Sequence, residues 1–505
     1  MAQIHVVDLT FGYEGSYEDI FKNVSFSIDT NWKLGLIGRN GKGKTTFLNL
    51  LLGKYSYQGV ITAKMVFDYF PYVVTEEMSR QNASDFISEL KPGCEEWKVI
   101  CELEKLSVSA ELLYRPFESL SHGEQTKVML AVLFAGENDF LLIDEPTNHL
   151  DCEAREIVKK YLSEKKGYIL VSHDRDLLDA CIDHVLVLNR KSIEVQSGNF
   201  SSWRENKQRK DQFAQSENKK HLREIQSLKK SVDQSERWAA KNESSKIGFD
   251  PKKEPDRCKE TRAYIGAKTR KMQSRVKNYE KRIEREIEAK EGLLLDIEDP
   301  VPLELYPLEY HKERLLYVND LSLAYDGAEK AAVKHVTFEI KRKERVFLHG
   351  ANGCGKSTVI KALSGTGDAK INISGGELCV GAGLKISYVQ QDTSFLRGSI
   401  NEFCEKRKLE ESLFLALLHQ LDMERAQFTK KLEYFSEGQK KKVLIAASLM
   451  TPAHLYIWDE PLNYIDVFSR IQIENLLMTC QPTMLIVDHD VRFREKTATK
   501  VIGLS

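Results

Sequence analysis

The stretch GRNGKGKT at Gly38–Thr45 and its near copy GANGCGKS at Gly350–Ser357 decide the fold of this 505-residue chain. KLGLIG precedes the first copy and ERVFLHG precedes the second, and an apolar segment typical of a helix follows each. A GxxxxGK[ST] loop between a strand and a helix turns its backbone N–H groups toward phosphate oxygens. Two such loops predict two α/β domains, each with a nucleotide site.

Three further motifs also occur twice, in the same order. The pairs are LSHGEQ (Leu120–Gln125) and FSEGQK (Phe435–Lys440), LLIDEPTNHLD (Leu141–Asp151) and YIWDEPLNYID (Tyr456–Asp466), and VSHD (Val171–Asp174) and VDHD (Val487–Asp490). The four motif pairs are separated by 312 to 316 residues. Such a constant offset indicates an internal duplication, with one domain at residues 1–200 and the other at 312–505.

The segment between the copies, residues 201–311, differs from them in charge. Residues 201–290 hold 26 Lys and Arg against 15 Asp and Glu, whereas the whole chain holds 74 against 75. From Thr261 to Tyr279 there are six basic residues and no acidic one. The near-neutral total therefore hides a basic insert between two acidic domains, which favours a phosphate-rich partner.

Apolar residues within this insert recur at helical spacing. One series is Phe213, Leu222, Ile225, Leu228 and Val232, and the other is Met272, Val276, Tyr279, Ile283 and Ile287. Gly248, Pro251 and Pro255 interrupt the pattern between them. The spacing predicts an antiparallel two-helix hairpin with its tip at about 242–266. A solvated charged linker is the alternative.

Composition and cysteine usage limit the class of protein. Apolar residues make up 42% and charged residues 30%, which excludes a collagen-like or wholly disordered chain. The longest apolar runs, such as Phe140–Ile143, are far shorter than the ~20 residues that span a bilayer, and the first residues do not resemble a signal peptide. The nine cysteines form no CxxC pair. These features predict a cytoplasmic protein with reduced thiols and no membrane segment.

The glycine-rich loops assign candidate ligands for phosphate and metal. Lys44 and Lys356 would bridge the β- and γ-phosphates. Residues predicted to bind Mg²⁺ are the hydroxyls of Thr45 and Ser357 and the carboxylates of Asp144 and Asp459, which end apolar strands. The other predicted loop residues are Gly38, Asn40, Gly41, Gly43, Thr46, Gly350, Asn352, Gly353, Gly355 and Thr358. A turn with a fortuitous lysine is the alternative, and two copies in register argue against it.

Catalytic residues are expected next to these carboxylates. Glu145 and Glu460 follow the aspartates and would orient or deprotonate the attacking water. His173 and His489 follow apolar strands and could hydrogen-bond the γ-phosphate. A single histidine at a strand end is usually structural, but two at matching positions favour a role in catalysis.

The Ser-x-Gly turns are candidate anion sites. Each lies before a helical segment and 23 residues ahead of an aspartate. A serine hydroxyl and the exposed N–H groups of a helix N-terminus bind anions. The residues assigned to these turns are Ser121, Gly123, Glu124, Ser436, Gly438 and Gln439.

Together the four motifs resemble those of the ATP-binding cassette (ABC) ATPases, in the family's order and in both domains. The resemblance implies a monomer whose cassettes pack head-to-tail around ATP and Mg²⁺, with closure on ATP and release on hydrolysis. The first site would then combine Lys44, Thr45, Asp144, Glu145 and His173 with Ser436 and Gly438. The second site would combine Lys356, Ser357, Asp459, Glu460 and His489 with Ser121 and Gly123. Tyr13 and Tyr325 are similar to the family's adenine-stacking aromatics, although ordinary turn tyrosines are an equal alternative.

The chain resembles the ABC-F subfamily because it combines two cassettes with a charged linker and has no membrane span. The segments NWKLGLIGRNGKGKTT, RPFESLSHGEQTKV, GNFSSW and LYIWDEPLNYIDVF resemble its bacterial antibiotic-resistance branch. That resemblance implies binding to the 70S ribosome, with the hairpin in the exit-tRNA site beside the P-site tRNA and 23S rRNA. The factor would protect against lincosamides, streptogramin A and pleuromutilins. Candidate RNA and tRNA contacts are Phe249, Lys252, Lys253, Arg257, Arg262, Tyr264, Lys268, Arg270 and Lys271.

Three alternatives remain open. The chain could be a housekeeping ABC-F translation factor without a drug role, the ATPase subunit of a transporter, or a DNA-repair ATPase. A transporter leaves the basic insert unexplained. DNA-repair ATPases carry their coiled coil inside a cassette, whereas here the predicted hairpin lies between two complete cassettes. We therefore expect neither a membrane partner nor a DNA partner.

Three positions depart from the family pattern. Tyr72 stands where the first cassette would have its Q-loop glutamine, whereas the second has Gln391, a candidate Mg²⁺ ligand. His122 replaces a signature glycine and Leu462 replaces a threonine. Because a tyrosine cannot ligate Mg²⁺ as an amide carbonyl does, we expect the two sites to hydrolyse ATP at unequal rates.

Overall fold

The two motif copies lie on two sheets whose five parallel strands have equivalent orders, and the first sheet has one further, antiparallel edge strand. The computed structural model describes residues 3–13, 19–91, 94–136, 140–148, 150–188, 193–244, 274, 281–283, 303–326, 331–351, 353–365 and 371–504, with the backbone alone over most of 232–244. It divides into two compact units, one formed by Met1–Trp203 with Pro300–Ser505 and the other by Arg204–Asp299. Both cassettes therefore lie in the first unit.

The first cassette contains nine strands and seven α-helices within its described residues. They are β1 (Gln3–Phe11), β2 (Phe21–Asp29), β3 (Lys33–Gly38), α1 (Lys44–Leu51), β4 (Gln58–Thr62), β5 (Phe67–Phe70), α2 (Glu76–Arg80), α3 (Ala83–Leu90), α4 (Glu96–Lys105), α5 (His122–Ala135), β6 (Phe140–Asp144), α6 (Cys152–Glu164), β7 (Tyr168–Val171), α7 (Arg175–Cys181), β8 (His184–Leu188) and β9 (Ile193–Ser197). The main sheet has the order β5-β6-β7-β3-β8-β9, and an antiparallel sheet has the order β2-β1-β4.

Helix α8 (Phe200–Ser244) follows, and the second cassette repeats the plan. Its elements are β10 (Arg314–Tyr325), β11 (Val333–Lys341), β12 (Arg345–His349), α9 (Lys356–Ser364), β13 (Ile371–Val380), β14 (Ile386–Val389), α10 (Ile400–Arg407), α11 (Glu411–Gln420), α12 (Glu437–Met450), β15 (Leu455–Asp459), α13 (Val467–Cys480), β16 (Met484–Val487), α14 (Val491–Thr497) and β17 (Lys500–Gly503). Its parallel sheet has the order β14-β15-β16-β12-β17, and its antiparallel sheet has the order β11-β10-β13.

The central strands are apolar on both faces because helices cover one side of each main sheet, and a helix with the antiparallel sheet covers the other. Every residue of β7 and of β16 is buried. In a parallel sheet the carboxyl ends of the strands share one edge, where ligands bind. The topology therefore brings the ends of β3, β6 and β7, and of β12, β15 and β16, to one edge in each cassette.

The cassettes also share apolar packing. Val467, at the start of α13, belongs to the buried apolar cluster of the first cassette. The rings of Trp203 and Phe468 lie 6.0 Å apart, edge to face. The apolar core of the first cassette thus continues into the second.

The second compact unit contains most of α8, a helix of 45 residues. Ile225 and Ile283 of the predicted apolar series are buried, but Phe213 is 67% and Leu222 is 47% exposed. The predicted apolar face is therefore wrong at Phe213 and Leu222. The tip beyond Ser244 and most of the second series lie outside the described residues, so the hairpin stays a prediction.

Among the described helices, none combines the length and the apolar character needed to cross a membrane.

We expect Phe86→Ala to lower the free energy of unfolding by about 3–5 kcal/mol, because it removes a fully buried ring. Phe86 stacks on Phe117 at a centroid distance of 4.7 Å. The control Phe213→Ala removes the same ring from an exposed position and should change stability by less than ~0.5 kcal/mol. Urea unfolding followed by tryptophan fluorescence measures both, and equal shifts of the two variants would contradict the assigned packing.

Candidate nucleotide-binding sites

Both glycine-rich loops end in a left-handed glycine that starts a helix. Gly43 has φ 89° before α1, and Gly355 has φ 92° before α9. A Cβ would lie 2.5 Å from Ile20 at the first position and 2.2 Å from Val333 at the second. No side chain caps either helix, so its first N–H groups face outward and can bind an anion. Asn352, also predicted here, lies outside the described residues.

The two loop lysines fold over their own loops. Lys44 Nζ donates to the carbonyls of Gly38 at 2.8 Å and Arg39 at 3.3 Å. Lys356 Nζ donates to those of Gly350 and Ala351, both at 2.8 Å. Burial lowers the pKa of Lys44 from its ordinary value, although Asp466, Glu145 and Asp144 oppose this effect. Each ammonium thus lies over the concave loop where the β- and γ-phosphates would bind.

A hydroxyl and a carboxylate meet at each predicted metal position. Thr45 Oγ1 donates to Asp144 Oδ2 at 3.0 Å, and Ser357 hydrogen-bonds Asp459. Burial, followed by the charge of Glu460, raises the pKa of Asp459 to about 6. Asp459 Oδ1 is buried and has no hydrogen-bond partner within the described part of the chain.

Such oxygen donors fit Mg²⁺, a hard cation that prefers carboxylate, hydroxyl and phosphate oxygens. When bound, the ion would neutralise charge on the β- and γ-phosphate oxygens. Asp144 with Thr45, and Asp459 with Ser357, would hold it.

The glutamates after β6 and β15 are fixed by their backbones. Glu145 and Glu460 have left-handed φ values of 52° and 47°. Their N–H groups donate to the carbonyls of Val171 at 2.9 Å and Val487 at 2.8 Å. Both glutamates are thereby pinned to the next strand of the sheet, with the carboxylate beside the predicted metal ligands. A non-glycine residue with positive φ is strained, which is typical of functional sites.

Each glutamate pairs with the predicted histidine, but the two pairs differ electrostatically. His173 Nε2 lies 3.2 Å from Glu145 Oε1, and His489 Nε2 lies 3.5 Å from Glu460 Oε1. Burial and the neighbouring Asp144 raise the pKa of Glu145 to about 8. Burial, and then Lys44, lower the pKa of His173. The first pair therefore favours its neutral forms.

The opposite holds in the second pair. Burial acts to raise the pKa of Glu460, but the hydrogen bond and charge of His489 and the charge of Lys441 keep it below its ordinary value. Burial acts to lower the pKa of His489, but hydrogen bonds with Cys152 and Glu460 raise it to about 9. The second pair is therefore an ion pair, and the two sites are not equivalent.

The Q-loop positions also differ, as the sequence predicts. The pairing of Phe67 with Phe140, and of Ile386 with Leu455, places Tyr72 and Gln391 at equivalent points. Gln391 Nε2 donates to Glu460 Oε2 at 2.8 Å, next to the catalytic position. Its role as a Mg²⁺ ligand stays a prediction.

In the first cassette the hydroxyl of Tyr72 donates to Asp68 Oδ2 at 2.7 Å, and Lys91 Nζ pairs with the same oxygen at 2.7 Å. Tyr69, which the sequence reasoning missed, donates to Asp144 Oδ2 at 3.2 Å. The signal was present, because Tyr388 occupies the same strand position in the second copy.

The two cassettes meet head-to-tail at the first site. Asn40 Nδ2 donates to the carbonyl of Tyr464 at 2.9 Å. A Cβ on Gly438 would lie 2.5 Å from that carbonyl oxygen and 3.2 Å from Asn40 Nδ2. The second cassette's Ser-x-Gly turn therefore lies against the first cassette's loop, as the resemblance implies.

Residues of both cassettes also line the second site. A cavity of about 510 Å³ has His122, Leu150 and Arg155 on one side. The facing residues come from the second cassette: Tyr325, Ala332, Gly353, Gly355, Lys356, Ser357, Thr358, Gln391, Glu460, Asn463 and His489. Each site is therefore composite.

The predicted serines cap the helices that face these loops. Ser121 caps α5 and Ser436 caps α12, each in a reciprocal capping box with Glu124 or Gln439. The side chains of Glu124 and Gln439 are thus engaged in the caps. Gly123 and Gly438 lie in the first helical turn, not in a turn before the helix as the sequence suggested.

The candidate adenine-stacking tyrosines make matching contacts. The hydroxyl of Tyr13 lies 2.9 Å from Thr46 Oγ1, and that of Tyr325 lies 3.0 Å from Thr358 Oγ1. The rings are 42% and 36% exposed beside the phosphate-loop helices. Both interpretations of these tyrosines remain compatible with this position.

Two buried lysines that were not predicted from the sequence, Lys441 and Lys442, follow the second Ser-x-Gly turn. Lys441 Nζ donates to the carbonyls of Gln390 at 3.1 Å and Asp459 at 3.4 Å. Lys442 Nζ pairs with Asp466 Oδ2 at 2.8 Å, with both side chains buried. A run of three lysines next to the turn was the available signal. An unpaired buried cation is costly, so these contacts fix the turn relative to the strand that carries Asp459.

Ion pairs also join the helices that follow the two histidines. Arg175 pairs with Glu474 and lies 3.5 Å from Asp490, next to His489. Conversely, Arg492 of the second cassette pairs with two carboxylates of the first, Asp176 at 2.5 Å and Asp179 at 2.7 Å. The cassettes are therefore held together beyond the nucleotide sites as well.

Comparison with known proteins identifies the family of this chain. A family model described as "ABC transporter" matches residues 21–148 and 333–463. The ribosome protection protein VmlR of Bacillus subtilis (strain 168) is 28% identical over 99% of this chain and 87% of its own length. The ATP-binding protein Uup of Buchnera aphidicola is 26% identical over 99% of this chain and 80% of its own length.

Solved structures share the fold at low identity. The archaeal ribosome recycling factor aABCE1, in a complex with the ribosomal stalk protein aP1, has a TM-score of 0.60 at 17% identity, over 98% of this chain and 87% of that chain. A structure titled RNase-L Inhibitor has a TM-score of 0.59 at 17% identity, over 98% of this chain and 87% of that chain. These similarities show a common fold.

We expect Glu460→Gln to reduce kcat for ATP hydrolysis by roughly 10²-fold or more, because it removes the carboxylate that would accept the proton of the attacking water. Glu145→Gln should cost less, because Tyr72 replaces the glutamine in that site. Steady-state phosphate release measures both. Titration with a fluorescent ATP analogue checks that binding persists, and equal losses in the two variants would contradict the asymmetry.

Proposed function

Because this chain belongs to the ABC transporter family, carries its ATP-binding domain twice and is an ATPase, we propose that it is an ABC-F factor that acts on the bacterial 70S ribosome. ATP would hold the two cassettes together, and hydrolysis would release the factor. The observation that carries the proposal is the pairing of two composite ATP sites with a basic insert between the cassettes.

Charge supports a ribosomal partner. Residues 201–290 carry a net charge of +11 on a chain whose total is −1. Lysines and arginines in such a segment bind phosphate backbones by releasing counterions. A helix of 45 residues, as in α8, is long enough to extend ~65 Å. The insert would enter the exit-tRNA site and contact 23S rRNA and the P-site tRNA.

The drug role is the finer part of the proposal. The tip would dislodge lincosamides, streptogramin A or pleuromutilins, directly or by shifting the tRNA and nearby rRNA. The match to a ribosome protection protein along 99% of this chain supports this role. The candidate tip contacts, from Phe249 to Lys271, lie outside the described residues and stay proposals. Such a factor would work in the cytoplasm as a monomer with Mg²⁺.

A housekeeping ABC-F factor is the second candidate. The match to the ATP-binding protein Uup, whose name gives no drug role, favours it. Ribosome binding without drug protection would identify this alternative. A transporter subunit would require a membrane partner and would leave the basic insert without a role.

We expect the double variant Glu145→Gln/Glu460→Gln to sediment with 70S ribosomes in ATP but not in ADP, because blocked hydrolysis traps the closed form. Sedimentation through a sucrose cushion measures this. Lys44→Ala/Lys356→Ala, which weakens phosphate binding, is the control and should stay in the supernatant. Failure of the double variant to sediment with either nucleotide would overturn the ribosome proposal and leave the ATPase assignment intact.

We expect Lys252→Glu/Lys253→Glu to abolish drug protection in a cell-free translation assay with lincomycin, because it reverses charge at the predicted tip. Lys219→Glu/Lys220→Glu makes the same charge change at exposed positions on α8 and should retain most of the protection. Protection by both variants would contradict the role of the tip. Absence of protection by the wild-type protein would favour the housekeeping factor.

A further inference from the structure

We propose that four charged residues form a latch between the cassettes at the first ATP site, and that the second site lacks it. The latch consists of the pairs Arg39–Asp422 and Lys42–Glu424. It holds the first site closed, so the second site is where the cassettes part and nucleotide exchanges faster. This inference rests on the ATPase fold and not on the ribosome proposal.

The latch connects the first phosphate loop to the second cassette. Arg39 Nη1 lies 2.7 Å from Asp422 Oδ1, and Lys42 Nζ lies 2.7 Å from Glu424 Oε1. Three of the four side chains are at least three-quarters buried, with exposures of 23% for Arg39, 12% for Asp422 and 20% for Lys42. The Arg39 guanidinium also lies 5.8 Å from the ring centroid of Phe468. Both basic side chains therefore reach across the interface.

The second site has none of these charges. The loop offset of 312 residues places Ala351 and Cys354 where the first loop has Arg39 and Lys42. The offset of 315 residues in the Ser-x-Gly region places Ser107 and Ser109 opposite them, in place of Asp422 and Glu424.

The backbone confirms that these acidic and serine positions are equivalent. Ser107 has φ 57° and Asp422 has φ 65°, both left-handed. Each follows a fully buried leucine, Leu106 or Leu421. The two copies thus share the turn and differ in its charge.

The position of the latch at the interface explains why its absence from the second site would affect the separation of the cassettes. Each pair joins one cassette to the other, so it forms only while the cassettes touch at the first site. An interaction that forms in just one of two states shifts the equilibrium toward that state. A partly exposed pair contributes up to about fivefold, so two pairs contribute up to about 25-fold. Salt weakens such pairs, so high ionic strength should remove the difference.

Release of mant-ATP from the Glu145→Gln/Glu460→Gln protein tests the latch. We expect two phases, a slow one from the first site and a fast one from the second. Asp422→Ser/Glu424→Ser installs the first cassette's own residues and should speed the slow phase by about 5- to 25-fold at low salt. The fast phase should not change, and the effect should vanish at ~1 M salt.

Two matched variants complete the test. Grafting the charges onto the second site, with Ala351→Arg/Cys354→Lys and Ser107→Asp/Ser109→Glu, should slow the fast phase. Reversing one pair, Arg39→Asp with Asp422→Arg, should restore the slow phase that Arg39→Asp alone loses, which distinguishes pairing from misfolding. Single-phase release by the parent protein, or a slow phase insensitive to Asp422→Ser/Glu424→Ser, would overturn the latch.

Discussion

The close approach of Gly438 to the first phosphate loop is the constraint on which the two sites depend. A Cβ on Gly438 would lie 2.5 Å from the carbonyl oxygen of Tyr464 in its own cassette and 3.2 Å from the side-chain amide of Asn40 in the other. Because the helix N-terminus of one cassette meets the loop of the other at this distance, neither cassette contains a complete site. ATP bound at either site would therefore contact both cassettes at once.

Electrostatics makes the two composite sites unequal. Lys441 and Lys442 bring two buried cations to the second cassette's Ser-x-Gly turn, where the first cassette has Thr126 and Lys127. Lys441 helps keep the pKa of Glu460 low, whereas burial raises that of Glu145. A duplication of one sequence pattern has thus produced two environments for the same pair of catalytic side chains.

Motif spacing was enough to predict the α/β cassette class, and the family match confirms it. The resemblance to the ABC ATPases implied which loops and turns would meet, and the contact of Gly438 with the first loop agrees with it. Contacts between residues far apart in the sequence, such as Arg39 with Asp422, cannot be predicted from any motif in a single sequence. Nor did the apolar series determine burial on α8: Phe213 lies nine residues, or two and a half turns, before Leu222, on the opposite side of the helix, and is exposed. The helical pattern gives a face, and only tertiary packing decides how much of it is covered.

The charges at the first site also bear on how the duplicated halves can associate. Two copies of the first cassette would set Arg39 against Ser107, and two copies of the second would set Asp422 against Ala351. Either like-with-like dimer would leave charges unpaired at an interface, where desolvation is costly. Only unlike halves neutralise one another, and joining them in one polypeptide keeps each at a high local concentration for its partner. The halves have become complementary instead of interchangeable, so neither can be replaced by a second copy of the other.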